Sequence, residues 1–355
     1  MDPFVYKSPP LRVVFGEGTS ARLAEEADLL AIRRALVLTT PGHERLGREI
    51  AGRLGDRFAG LFAGAVMHTP VGVTEEALGR AADLQADGII AVGGGSTVGL
   101  GKAISLRTGL PQIAIPTTYA GSEMTPILGE TQDGVKTTRS SPAIMAKTVI
   151  YDVDLTLSLP VRIASVSGMN AMAHSVEALY AKDRNPVVSL MAADAIRAIA
   201  SALPDIARTP DNRDARSRAL YGAWLSGLCL GSVGMALHHK LCHVLGGTFN
   251  LPHAETHAIV LPHAMAYNST AVPDVEQRIA EILGASGAAT GLYDFAGQFG
   301  IPAGLREIGM PESGIERAAD LAMANPYWNP RALERDAIQG LIALAWAGER
   351  PLNRS

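Results

Sequence analysis

VRIASVSGMNAMAHSVEALYA, residues 161–181, marks the point where the chain changes architecture. Downstream, a long apolar segment ends in HHKLCH at 238–243 and runs on as VLGGTFNLPHAETH at 244–257. Asn170 and His174 are four residues apart, as are His239 and His243. Residues four apart share one face of a helix. Two helices are therefore expected to point two polar side chains each toward one site. His253, after Gly246-Gly247 and Pro252, is expected to close that site from a loop. A lone histidine on an apolar helix is most often a core residue with its hydrogen bonds met. Here four of nine histidines converge within one region, which points to metal binding or proton transfer. HAETH at 253–257 is not HExxH, because its glutamate is one place late, so a zinc-protease helix is not indicated.

Working outward, helical periodicities fill 161–182, 186–206, 213–245, 254–267, 273–286, 288–299, 312–323 and 331–346. The half before Pro160 reads differently. LRVVF (11–15), RALVLTT (34–40), GAVMHTP (64–70), GIIAVGGGST (88–97), LPQIAIPTT (110–118) and TVIYD (148–152) read as strands alternating with helices. Continuous apolar strands in that alternation predict an α/β fold with a doubly wound parallel sheet. The expected division is an α/β domain over 1–157, then an all-α domain over 158–355. The loop NPYWNPR (325–331) is unusually rich in aromatic and amide groups, although its prolines suit a plain connector.

Two glycine motifs compete for a nucleotide. Gly16-Glu17-Gly18-Thr19-Ser20-Ala21 fits GxGxxG/A after a strand, but the second strand ends in Thr39-Thr40 rather than an acidic residue. Without a carboxylate for the ribose, a plain turn is the better reading. Gly93, Gly94, Gly95 and Ser96 lie between the most apolar strand and a helix. Glycines let the backbone approach a ligand, and the helix N-terminus offers free amides to a pyrophosphate. Thr117 and Thr118 end the next strand at the same edge of the sheet, where ligands of such folds bind.

The 355 residues are 47% hydrophobic and 19% charged, enough for a large core. A net charge of −4 without a basic run argues against nucleic acid and anionic membrane as partners. The uncharged run from Ala219 to His239 has the length of a membrane span, but its glycines, serines and terminal histidines suit a buried core helix. MDPFVYKSPP lacks the apolar region of a secretory signal, and the two cysteines, Cys229 and Cys242, suit reduced thiols on one helix; both point to the cytoplasm.

GGGS at 93–96, PTTYAGSE at 116–123, GMNAMAHSVEA at 168–178, and HHKLCHVLGG followed by LPH together resemble the iron-containing alcohol dehydrogenase superfamily, across essentially the whole chain. The resemblance implies a dinucleotide-binding domain, a helical domain and a cleft between them. The superfamily's metal is held by one Asp and three His. Here Asn170 stands at the Asp position, with His174, His239 and His253 at the histidines. An amide lacks the charge of a carboxylate, so a divalent site should be much weakened. Gly99 replaces another family Asp, and TTYAGSE is one residue shorter than the usual loop. These departures, with NPYWNPR, resemble the maleylacetate reductase branch, which reduces maleylacetate to 3-oxoadipate with NADH or NADPH in aromatic catabolism.

That resemblance implies the following roles. His243 is the proton donor. His174, His239 and His253 bind carboxylate or polarise the ketone of a dicarboxylate substrate, and Asn170 donates an amide hydrogen bond. Gly93, Gly94, Gly95 and Ser96 hold the pyrophosphate, Thr117 and Thr118 contact the nucleotide, and Lys136 lies near the nicotinamide ribose. Thr40, where an NAD-preferring relative has Asp, leaves NADPH tolerated. No metal is expected, and a homodimer is. The alternatives are a metal-dependent alcohol dehydrogenase of the same superfamily, a lyase resembling dehydroquinate synthase, and a non-catalytic nucleotide-binding protein.

Overall fold

The computed structural model describes residues 4, 6, 11–132 and 135–352, without the side chains of 135 and 136. Two compact units divide the chain, one spanning Ser8–Leu159 and the other built on Pro160–Ser355.

The first unit alternates strand and helix: β1 (Arg12–Gly16), α1 (Leu23–Leu29), β2 (Ala35–Leu38), α2 (Glu44–Ala51), β3 (Phe58–Phe62), α3 (Val71–Asp83), β4 (Gly88–Gly93), α4 (Gly95–Thr108) and β5 (Gln112–Pro116). A hairpin of β6 (Ile127–Gln132) and β7 (Val135–Ser140) follows, then β8 (Thr148–Asp152). Six strands form one parallel sheet in the order β1-β8-β5-β4-β2-β3. Every residue of β2, β4, β5 and β8 is buried, as a sheet covered on both faces requires. Alternate side chains serve opposite layers. Val37 and Ile90 pack with Leu23, Ala27 and Ile50 of α1 and α2. Leu36, Leu38 and Ile89 pack with Ala77, Ala81, Leu100 and Ile104 of α3 and α4. The expected doubly wound parallel sheet is present.

Two local readings need correction. The third strand is FAGLF at Phe58–Phe62, not GAVMHTP. His68 and Thr69 take left-handed backbone angles (φ 66° and 45°), which no strand ladder accommodates. The β6–β7 hairpin was not expected, because ILGETQ and VKTTRS carry mixed polar residues that do not read as core strands.

The second unit is helical: α5 (Val161–Tyr180), α6 (Pro186–Arg208), α7 (Arg213–Ser232), α8 (Leu237–Phe249), α9 (His253–Asn268), α10 (Pro273–Leu283), α11 (Ala288–Gly297), α12 (Gly314–Ala324) and α13 (Arg335–Ala347). The single helix expected over 213–245 is two helices, α7 and α8, bent by 95°. The break falls at Val233–Ala236, where the Gly234 amide donates to the Asp183 carboxylate. The run from Ala219 to His239 is therefore not one span, and Cys229 and Cys242 lie on different helices, both buried and free. Among the described residues α6 is long and apolar enough to cross a membrane. Its apolar face packs on its neighbours: a Cβ at Gly222 of α7 would sit 2.6 Å from Ile199 and 3.1 Å from the Ala195 carbonyl. His253 is the first residue of α9 rather than part of a loop.

Candidate active site

Each unit carries a cluster of candidate residues. In the first, the chain reverses direction across the sheet between β4 and β2, since β2 leads outward to β3 and β4 leads the other way to β5. Ligands of open α/β sheets bind beyond the strand ends at such a switch point. Gly93–Ser96 leaves β4 there and Thr40 follows β2 there. Gly93 has φ 150°, and a Cβ on it would lie 2.5 Å from Thr97 Oγ1. Gly94 is the N-cap of α4 and no side chain caps it, so the first amides of α4 are open to an anion. A Cβ on Gly94 would touch Thr118 at 3.1 Å, and the Thr117 amide donates to the Gly93 carbonyl at 3.1 Å. The two motifs thus meet as one edge. Lys136 pairs with Thr131 in the hairpin, and its side chain lies outside the described residues.

The loop after Thr118 is held from below. Lys102, buried on α4, donates to the Ser122 carbonyl (2.5 Å), Thr125 Oγ1 (3.0 Å) and the Ile127 carbonyl (2.8 Å). Burial pushes its ammonium down to about 7. Glu123, raised by burial, accepts from the Tyr151 hydroxyl at 2.7 Å.

The competing motif at 16–21 is structural. The amides of Gly18 and Ser20 both donate to the Asp152 carboxylate at 2.9 Å. The anion seated in that turn is the chain's own, and β1 lies at the sheet edge, away from the switch point.

In the second unit three helices converge. α5 presents Asn170, His174 and Glu177, spaced to share a face; α8 presents His238, His239, Cys242 and His243; α9 presents His253 and His257. The rings of His174 and His239 are 5.2 Å apart, those of His239 and His243 6.2 Å, and those of His253 and His257 4.3 Å. His239 and His257 are 5.0 Å apart and link the set. The structure thus gathers the sequence-derived His174, His239, His243 and His253 in one cluster, with Asn170 one turn before His174 on α5.

Glu177 organises the cluster and was missed in the sequence. Its carboxylate accepts from the amides of Ala236 (2.8 Å) and His238 (2.7 Å), so it caps α8 from another helix. It also accepts from His239 Nδ1 at 2.7 Å. Donation from Nδ1 leaves Nε2 of His239 as the lone-pair atom, and that atom is buried without a protein partner. Asn170 Oδ1 and His174 Nδ1 are likewise buried without partners. Burial, then neighbouring imidazoles, holds His174, His238 and His257 well below the usual histidine range, so they are neutral at pH 7. The signal for Glu177 was its spacing, three residues past His174 and seven past Asn170.

His243 Nδ1 lies 3.0 Å from the Tyr327 hydroxyl. Tyr327 belongs to the NPYWNPR loop, which is therefore more than a connector. Asn329 and Asn268 exchange two amide hydrogen bonds (2.7 and 3.0 Å), and Asn329 Oδ1 accepts from the Leu237 amide at the start of α8. Arg331 stacks on the Tyr267 ring at 4.2 Å and donates to the Tyr267 carbonyl. The loop is thereby tied to the helix that carries His243.

Two donor sets bear on metal binding. Asn170, His174, His239 and His253 comprise an amide and three imidazoles, with no anionic ligand among the four; the Glu177 carboxylate is spent on His239 and the α8 amides. Three imidazoles suit iron, but without an anionic oxygen the set would hold a divalent ion less tightly than one Asp and three His. His238, Cys242 and His257 are buried, with ligand atoms within 4.8 Å of one another. His238 Nε2 and His257 Nδ1 are hydrogen bonded to each other at 3.0 Å, and the Cys242 thiol, raised well above its usual range by burial, lies 3.7 Å from His238 Nε2, so the three form one buried network.

Two family profiles match the chain: iron-containing alcohol dehydrogenase over residues 10–153, and the C-terminal profile of the Fe-containing alcohol dehydrogenase family over 164–346. A maleylacetate reductase of Rhizobium sp. (strain MTP-10005) is 54% identical over 351 residues, 99% of this chain and 100% of that one. The crystal structure of a maleylacetate reductase from Agrobacterium tumefaciens superposes with a TM-score of 0.95 at 53% identity, covering 99% of this chain and 100% of that one. An iron-containing alcohol dehydrogenase from Corynebacterium glutamicum gives 0.94 at 39% identity, covering 99% of each chain.

Proposed function

Since the chain belongs to the iron-containing alcohol dehydrogenase family, on its maleylacetate reductase branch, we propose that it reduces the carbon–carbon double bond of maleylacetate to give 3-oxoadipate at the expense of NADH or NADPH. It is an NAD(P)H-dependent oxidoreductase. The observation that carries the substrate reading is Asn170, a buried amide one turn from the His174 imidazole, where the family pattern calls for a carboxylate.

Reducing a ketone to an alcohol builds charge on an alkoxide, which a Lewis acid stabilises strongly. In maleylacetate the alkene is conjugated to the ketone. Hydride from the nicotinamide adds to the alkene carbon remote from the ketone, and the electron pair moves into a delocalised enolate. A proton then adds to the carbon beside the ketone. Hydrogen-bond donors suffice to hold an enolate. His243 delivers the proton from Nε2 while its Nδ1 takes the Tyr327 hydroxyl proton, and solvent then reprotonates the Tyr327 oxygen and resets the imidazole for the next turnover. His174, His253 and Asn170 line the substrate site. His239, held by Glu177, offers a lone pair and needs a proton or a donor opposite it.

Gly93–Ser96, Thr117 and Thr118 would hold the cofactor, and the family resemblance assigns Lys136 to the nicotinamide ribose. Thr40 Oγ1 lies 2.8 Å from His43 Nδ1, and position 40 itself carries no carboxylate to repel a 2′-phosphate. We assign the protein to the cytoplasm as a homodimer acting without metal. The deciding assay follows NADH and NADPH oxidation at 340 nm with maleylacetate, with and without chelator. Turnover that survives chelation supports the reading; loss restored by iron favours a metal-dependent alcohol dehydrogenase, which the lone pair on His239 also suits.

A further inference from the structure

Maleylacetate is a dianion, and the histidine cluster as built supplies little positive charge to receive it. His174, His238 and His257 are held neutral by burial. The Glu177 carboxyl group lies beneath His239, 2.7 Å from Nδ1. Neutral imidazoles donate hydrogen bonds to a carboxylate without offsetting its charge.

The cations around the cluster are mostly committed. Arg162, at the start of α5, pairs with Glu255 at 3.8 Å. Arg331 is stacked on Tyr267 and donates to its carbonyl. Lys240 differs. It lies on α8 between His239 and His243, half-buried, and among the described residues it forms no ion pair. Its ammonium is 5.7 Å from the centroid of the Tyr327 ring, on the residue whose hydroxyl holds His243. A cation–π contact at that distance is a weak tether. A half-buried ammonium with no carboxylate beside it, next to the proton donor, is a charge left for a ligand. Burial lowers its proton affinity, the cost expected of such a placement.

We propose that Lys240 is the anchor for one carboxylate of the substrate, fixing the dianion so that its enolate carbon faces His243. This rests on the reading of maleylacetate as substrate. The contact persists from ground state to transition state, because the carboxylate charge does not change in the reaction. Lys240 therefore acts on binding, not on the proton step.

The test compares wild type, Lys240→Met and Lys240→Arg. Met keeps most of the aliphatic stem and removes the charge. Steady-state kinetics with maleylacetate should show KM raised about 30-fold or more in Lys240→Met, with kcat within about threefold, and Lys240→Arg recovering most of the loss. NADH affinity, read by fluorescence, should be equal in all three, which also confirms folding. Calorimetric binding of adipate, an unreactive dicarboxylate, should be measurable in wild type and lost in Lys240→Met. Unchanged KM and adipate binding overturn the proposal, as does a fall in kcat at constant KM, which would place Lys240 on the Tyr327–His243 pair. If wild type binds adipate through Lys240 but does not turn over maleylacetate, the substrate reading fails and the anchor stands. Adipate binding absent from wild type removes the anchor itself.

Discussion

The glycine edge of the sheet and the histidine cluster of the helical unit are built in opposite ways. At the edge the site consists of what is missing: a methyl on Gly93 would strike Thr97, one on Gly94 would press Thr118, and no side chain caps α4. There, in the proposed cofactor site, backbone amides would do the binding. In the cluster the contributors are side chains, and two of them are placed by others: Glu177 places His239 and Tyr327 holds His243. The edge should therefore be damaged by adding atoms, and the cluster by removing them. Damage at the edge should also spread into stability, whereas a side chain facing the substrate can be lost with little effect on folding.

The largest effect should come from His243→Ala. General acid catalysis contributes about 10²–10⁴-fold, so kcat should fall by that range while cofactor affinity and melting temperature stay near wild type. Tyr327→Phe keeps the ring and removes the hydroxyl, and a kcat loss of about 10–100-fold is expected from interrupted reprotonation. Equal kcat in both variants and wild type would separate this pair from the chemistry.

Gly93→Ala tests the other side of the contrast. The φ of 150° is strained for any side chain, and the added methyl meets a buried threonine. A stability loss of about 1–3 kcal/mol by denaturant unfolding is expected. A KM for NADH raised about tenfold, with little change in the KM for maleylacetate, should accompany it. Weakened substrate binding with intact cofactor binding would remove the glycine edge from the cofactor site.

The two regions were also legible to different degrees. The edge could be read directly, because three glycines after an apolar strand have few other uses, and the parallel sheet follows from continuous runs such as GIIAVG. The decoy at 16–21 needed the structure: only the fold brings Asp152, more than a hundred residues away, onto the amides of Gly18 and Ser20. In the cluster, Asn170, His174, His239 and His243 emerged from four-residue spacing. Glu177 did not, because a glutamate on a helix ordinarily reads as a solvated charge, and its burial depends on the exposed N-terminus of α8. That N-terminus was itself hidden, since no proline marks the break near Gly234 and the helix appeared continuous. His257 was passed over when HAETH failed as a protease motif, although it stands four residues after His253 on one face of α9.

Thr40→Asp sharpens the edge further. The new carboxylate would sit at the end of β2 beside the ribose, where it accepts hydrogen bonds from the hydroxyls of NADH but repels the 2′-phosphate of NADPH. The specificity constant for NADPH should fall about 10–100-fold relative to NADH. An unchanged ratio would move the ribose away from Thr40. Wild type should discriminate between the two cofactors by far less than a thousandfold.

The smallest expected effect is none: prolonged chelation should leave wild-type turnover unaltered. Its force comes from Asn170→Asp, an exchange of amide for carboxylate at nearly constant volume. Aspartate would add an anionic oxygen on α5, one turn from His174, to the existing imidazoles, so affinity for a divalent ion should rise at least about tenfold by equilibrium dialysis. The same charge should oppose the dianionic substrate and raise its KM, and bound metal should relieve part of that penalty. Activity would then respond to chelator in the variant but not in the parent. If wild type already loses turnover on chelation and regains it with iron, the cluster is an ion site despite its amide. The contrast between a backbone site for the cofactor and a metal-free side-chain site for the substrate would then have to be redrawn.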